Sequence, residues 1–229
     1  MKTVIVTGAS GNMGKAIVKK FLERGYFVVG TFVPNDNSPF EIEDLRFERA
    51  TVDLLQEDDS ASFVQAVAGK YGSIDTVVST VGGFAMGGVM ETSTQDINKQ
   101  IRLNFETSYN IVRPAFLQMM KQRQGRIFMT GSRPGLHSFH ANGMVAYSLG
   151  KSLVFRLADL LNDEAKGVDV VTSIIVPSTI DTPQNRQSMP AANFADWVKP
   201  QEIADIIFYH CSPEARALRE TVIKVYGNT

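Results

Sequence analysis

Within the first fourteen residues a β-branched run, Val4-Ile5-Val6, meets a glycine-spaced turn, Thr7-Gly8-Ala9-Ser10-Gly11-Asn12-Met13-Gly14, which opens a helical pattern. This junction constrains the fold more than any other segment. Glycines let backbone approach an anion closely, and a helix N-terminus offers free N–H groups and a positive dipole end. Gly14 lets the helix pack tightly on the strand. Taken alone, the turn also suits any tight strand-to-helix connection. The βαβ frame of about 30 residues around it is what points to a dinucleotide diphosphate.

The rest of the chain repeats the alternation. Strands are expected at 28–33, 46–52, 76–78, 126–130, 170–176 and 222–225. Helices are expected at 12–24, 58–71, 146–166 and 200–211, the first three closed by Gly25, Gly72 and Gly167 and the last started by Pro200. Ser93-Thr94-Gln95-Asp96 reads as a capping box for a long helix to Gln124, closed by Gly125 and kinked or broken at Pro114. Continuous apolar strands alternating with helices predict an α/β single domain, Rossmann-like, over residues 1–229. Its doubly wound parallel sheet has about seven strands, helices on both faces and its ligand beyond the carboxyl ends of the strands.

Charge and cysteine content narrow the partners. Net charge is −1, which supplies no bulk field for nucleic acid or an anionic membrane. Cys211 is the single cysteine, and His137, His140 and His210 lack ligand-like spacing, so no metal site is expected. No apolar run reaches membrane-spanning length, and the glycine turn comes too early for a signal peptide. A soluble, cytoplasmic protein is the expectation.

The coenzyme side is legible in part. An acid at the end of the second strand ordinarily holds the ribose 2′-OH of NAD. Here the strand runs out as Gly30-Thr31-Phe32-Val33-Pro34-Asn35-Asp36, with no acid at its tip and Asp36 late. No cation follows to grip a 2′-phosphate, and Lys15 reads equally well as a solvated helix residue. NAD and NADP stay open, the missing carboxylate leaning toward NADP. Asp53-Leu54 either meets the adenine or caps the next segment, and Gly82-Gly83 either leaves room for a flat ring or makes a simple turn.

Tyr147 and Lys151 stand at i and i+4, one above the other on a helix. A phenol of pKa about 10 needs a neighbouring ammonium to work near neutral pH. A hydride-carrying coenzyme moves no proton, so such a tyrosine supplies one. Ser132, at the carboxyl edge after the fifth strand, either steadies a substrate oxygen or serves its own turn. Asn104, inside the long helix, either binds a water that links Lys151 to solvent or is an ordinary polar helix residue.

Taken together, these residues resemble the short-chain dehydrogenase/reductase family over essentially the whole chain. The match rests on the glycine turn, Asp53, Gly82, Asn104, Ser132, Tyr147-x-x-x-Lys151 and the stretch Pro177-Ser178-Thr179-Ile180-Asp181-Thr182. The resemblance implies a catalytic tetrad of Asn104, Ser132, Tyr147 and Lys151. It implies coenzyme contacts from Gly8, Ser10, Gly11, Asn12, Met13, Gly14, Asp53, Leu54, Gly82, Gly83, Tyr147, Lys151, Pro177, Ile180 and Thr182. Asn12 stands where the family usually has glycine, and the interval from Ser132 to Tyr147 is about two residues long for the family, which leaves Thr130 as the alternative hydroxyl partner. A homodimer or homotetramer is implied as well, joined through helices 93–124 and 146–166.

A narrower likeness, to the dihydropteridine reductase branch, covers the glycine turn, Gly82-Gly83 and 180–190 with Phe194 and Trp197. That branch lacks the Ser and Asn and carries the missing strand-tip Asp, so pterin reduction ranks second to reduction or oxidation of a small carbonyl or alcohol. A non-catalytic dinucleotide sensor is the third reading, disfavoured by the Tyr147–Lys151 pair. Residues 182–199 are expected to form a substrate lid, and 136–145 the opposite wall. Arg133, Phe139, Met144, Met189 and Trp197 are the candidate substrate contacts, fitting a small, mostly apolar or aromatic substrate. Phe194 and Trp197 pack on the core in the competing reading.

Overall fold

A computed structural model describes residues 1–219 and 221–228. In chain order, β1 (Thr3–Val6) leads through the glycine turn to α1 (Asn12–Glu23). Next come β2 (Phe27–Phe32), β3 (Phe47–Thr51), α2 (Glu57–Tyr71) and β4 (Thr76–Ser79). Then follow α3 (Thr94–Ile101), α4 (Thr107–Gln122), β5 (Gln124–Thr130), a one-turn α5 (Arg133–Leu136) and α6 (Val145–Glu164). The chain closes with β6 (Asp169–Pro177), α7 (Pro183–Ser188), α8 (Pro200–His210) and β7 (Val222–Val225).

The seven strands pair in parallel in the order β3-β2-β1-β4-β5-β6-β7. The order in which strands are added therefore reverses between β1 and β4, where a crevice opens at the carboxyl ends of the strands. Strand interiors are apolar on both faces because both are covered. One core layer joins Ile5, Val77, Ile127 and Ile174 to Val112, Phe116 and Val154 from α4 and α6. The other joins Val4, Val6, Val28 and Phe128 to Ile17, Phe21 and Ile203 from α1 and α8.

One long helix was expected from Ser93, and the structure divides it. Ser93 and Asp96 do form the capping box of α3. A π-turn over Arg102–Glu106 then separates α3 from α4, and the helix runs through Pro114. Such an extra residue per turn re-aims side chains and is frequent at functional sites; here it carries Asn104. Nor does Gly125 close the helix. Arg123, at φ 62°, does so, and Gly125 lies inside β5, where a Cβ would meet the Met119 sulfur at 2.3 Å.

Candidate active site

The phosphate turn is held from below. Ala9 N donates to Thr31 O at 3.1 Å and Gly11 N to Gly8 O at 3.0 Å, with Gly8 at φ 61°. No side chain caps α1, so its first N–H groups face the crevice. A Cβ on Gly14 would lie 2.2 Å from Gly8 O, so only glycine lets the helix seat this closely. The crevice holds about 1130 Å³ and runs from this turn past Thr80 and Gly82 to Tyr147 and Lys151. Uncapped N–H groups at one end, a glycine-walled channel and proton-handling groups at the other suit an elongated diphosphate coenzyme.

At the far end, Lys151 is buried and its ammonium donates to Thr130 O at 2.8 Å. Burial pushes this amine down to about 8. Burial pushes the Tyr147 phenol up, and the Ser132 hydroxyl hydrogen-bonded to it pulls the other way. The sequence expectation was that the ammonium would lower the phenol; here the phenol's shift comes from its burial and from Ser132, while the ammonium donates to Thr130 O. Ser132 Oγ also accepts from Gly135 N at 3.2 Å, capping α5, which is the turn role the sequence offered. Thr130, the alternative hydroxyl partner, donates its own hydroxyl to Ser79 O at 2.9 Å.

Asn104 is fully buried. Its Oδ1 accepts from Gly83 N at 3.0 Å, and its Nδ2 donates to Gly83 O at 3.0 Å and Gln100 Oε1 at 2.8 Å. The amide thus clamps the strand-exit backbone. A Cβ on Gly82 would lie 2.7 Å from Asn104 Oδ1 and 3.1 Å from Lys151 Nζ, so glycine is what lets the three converge.

The candidate contacts divide. Arg133, Met189, Pro177, Ile180 and Thr182 line the crevice. Phe139, Met144 and Trp197 do not. Phe139 is exposed beside the His137 and His140 rings, and Met144 bridges to Gly87. Trp197 is buried against Phe194, held inward because Val198 N donates to Thr179 O at 3.0 Å and Asp181 N to Val198 O at 2.8 Å. Asp53 caps its own turn by accepting from Leu55 N at 3.0 Å, and Leu54 is in the core; neither borders the crevice.

Three features escaped sequence reasoning. Phe84 and Met86 line the crevice, Phe84 meeting the Tyr147 ring edge-on at 5.1 Å; their place just after Gly82-Gly83 was the available signal. Residues 182–199 are not a featureless loop: Thr182 caps α7, a single turn covers Phe194–Asp196, and Gln184 Oε1 accepts from Asn12 Nδ2 at 3.0 Å. Last, Asp36 does not trail away. Asn35 turns the chain at φ 63°, and Ser10 Oγ donates to Asp36 Oδ2 at 2.6 Å. That bond and those from Ser38 hold the Asp36 carboxyl down at about 2.

Residues 2–193 match the short chain dehydrogenase family, and the chain belongs to it. Among curated relatives, the dihydropteridine reductase of Dictyostelium discoideum is 27% identical over 97% of this chain and 94% of its own. The 3-oxoacyl-(acyl-carrier-protein) reductase of Thermotoga maritima is 24% identical over 99% and 96%. In fold, the ligand-free aldohexose dehydrogenase of Thermoplasma acidophilum superimposes with a TM-score of 0.84 at 23% identity, covering 99% of this chain and 93% of that one. The protein is an NAD(P)-dependent oxidoreductase of this family.

Proposed function

We propose that the chain interconverts a small, mostly apolar or aromatic carbonyl compound and its alcohol, with Tyr147 as acid and base. The observation that carries this is the Tyr147 phenol, hydrogen-bonded to Ser132 at the inner end of the crevice. The bound nicotinamide coenzyme supplies or accepts the hydride. Gly8–Gly14 would hold its diphosphate, and Pro177, Ile180 and Thr182, which line the crevice, would flank its nicotinamide end. Tyr147 hands a proton to the substrate oxygen, or takes it, and Ser132 donates a hydrogen bond to that oxygen as charge builds. Lys151 keeps a positive charge at the base of the site, and Asn104 holds the Gly83 backbone in place behind it. Phe84, Met86 and Met189 form apolar walls.

Residues 182–199 act as the lid in this reading, latched to the phosphate turn by Asn12 and Gln184. Exposed Leu117 on α4 and Leu149, Leu153 and Leu160 on α6 support a homo-oligomer joined through those helices. A cytoplasmic setting accords with a single cysteine, left as a free thiol.

The test is Tyr147→Phe. Turnover of the best substrate from a panel of ketones, aldehydes and quinonoid dihydropterin falls by about 10²–10⁴, while coenzyme affinity stays within about twofold, since the phenolic proton is used in chemistry rather than in binding. Unchanged turnover rejects the assignment. Clear coenzyme binding with no turnover on any panel member favours the sensor reading.

A further inference from the structure

α3 buries one side chain, and it is a glutamine. An apolar residue would fill the same space without the cost of desolvating an amide, so Gln100 answers to something besides packing. Gly150, the residue before Lys151, would place a Cβ 2.7 Å from Gln100 O, so α3 seats on α6 at this residue. The glutamine side chain meets Asn104. Asn104 Nδ2 donates to Gln100 Oε1 at 2.8 Å and to Gly83 O at 3.0 Å, while Asn104 Oδ1 accepts from Gly83 N at 3.0 Å. An amide nitrogen carries two hydrogens. One goes to Gly83 and the other to Gln100.

We propose that Gln100 is a positioning residue for turnover, aiming the Asn104 amide so that it holds Gly83 in place beside Lys151. The proposal rests on the assignment of Tyr147 and Lys151 above. Without Gln100 Oε1, the acceptor left for the second hydrogen is Gln100 O, 3.2 Å from Nδ2. That carbonyl belongs to the helix itself, and turning toward it draws the amide back from Gly83. Gly82 and Gly83 line the crevice, and the place a Gly82 Cβ would take lies 2.7 Å from Asn104 Oδ1 and 3.1 Å from Lys151 Nζ. A turned amide therefore moves the crevice wall against the ammonium. Neither Gln100 nor Asn104 lines the crevice, so the effect reaches the chemistry through Gly83 and leaves the diphosphate turn untouched.

Steady-state kinetics and coenzyme titration of the full chain test this, with the best substrate of the panel above and NADH or NADPH. Gln100→Met keeps the volume and removes the acceptor. Its kcat is expected to fall about tenfold, as a small misplacement of a positioned group can produce, with KM and coenzyme Kd within about threefold of the parent. Gln100→Glu, whose carboxyl accepts from Asn104 in either protonation state, is expected to recover most of the loss. In an Asn104→Ala background, Gln100→Met should cost nothing further, because the two side chains act as one unit. Unchanged kcat in Gln100→Met overturns the proposal, and so does an equal loss in the Asn104→Ala background. A Gln100→Glu variant no better than Gln100→Met overturns it too. So does coenzyme affinity lost in step with kcat, which marks a merely structural role. Each of these leaves the Tyr147 assignment standing so long as Tyr147→Phe cuts turnover. Full turnover by Tyr147→Phe brings down the two together.

Discussion

The two ends of the sheet use similar side chains to opposite purposes. At the amino end, Asp75 Oδ2 accepts from Thr3 N at 2.8 Å, Arg126 pairs with Asp169 at 3.1 Å, and Thr76 meets the Cys211 sulfur at 3.4 Å. These groups spend their hydrogen bonds on one another around a space of about 100 Å³. Burial pushes the Cys211 thiol up to about 12 and Tyr26 to about 12, leaving both protonated and inert. At the carboxyl end, the strand exits pass through glycines, α1 is uncapped and an ammonium is buried on a single carbonyl. A polar cluster becomes a site when it keeps open volume and hydrogen-bonding capacity in reserve. A cluster that satisfies itself is a staple.

Replacing Lys151 breaks this contrast most sharply. Lys151→Met is expected to cost about 10²–10⁴ in turnover and yet to stabilise the ligand-free protein at pH 7 by about 1–2 kcal/mol, because a buried charge gives way to an apolar chain of like volume. The pH dependence carries the sign. Folded Lys151 releases its proton near 8, whereas unfolded lysine keeps it to 10.5, so the unfolded chain holds more protons between those values and stability rises with pH there. Cys211 and Tyr26, each held up to about 12, and Tyr147, raised as well, oppose the rise from about pH 9 upward. Denaturant melts from pH 7 to about 9 should show the rise in the parent and a flatter profile in the variant. A parent profile that falls with pH sinks the assignment.

Gly82→Ala comes next. Its methyl meets Asn104 Oδ1 at 2.7 Å, so the Gly83 clamp must shift. Steady-state kinetics should show turnover down about tenfold to a hundredfold, as misplacement of a positioned group by about 1 Å can produce. The smallest effect belongs to the amino end. Asp75→Asn is expected to lose about 1–2 kcal/mol of stability, read as a lower thermal midpoint, with turnover and coenzyme affinity unchanged. A loss of turnover without a loss of stability would erase the distinction between the two ends.

Much of the fold was legible because local rules agree with it. Apolar runs, the Gly25, Gly72 and Gly167 stops and the Ser93 box each act within a few residues. The π-turn at Asn104 was not legible, since an extra residue in a helical turn leaves the apolar period nearly intact. The roles of Trp197 and Phe139 were equally hidden. An aromatic in a loop looks the same from the sequence whether main-chain pairing at Thr179 and Val198 pulls it inward or nothing does.

The sequence alone determined the alternation of strand and helix, the turn able to receive a diphosphate, and the single helical turn between Tyr147 and Lys151. These follow from steric and hydrogen-bonding preferences that span only a few residues. Tertiary structure decided what those groups are worth: that Lys151 donates to Thr130, that Asn104 grips Gly83, and that Asp36 returns to Ser10 from 26 residues away. Charge, burial and distance between groups far apart in the chain come into being only when the sheet closes, and they set proton affinity.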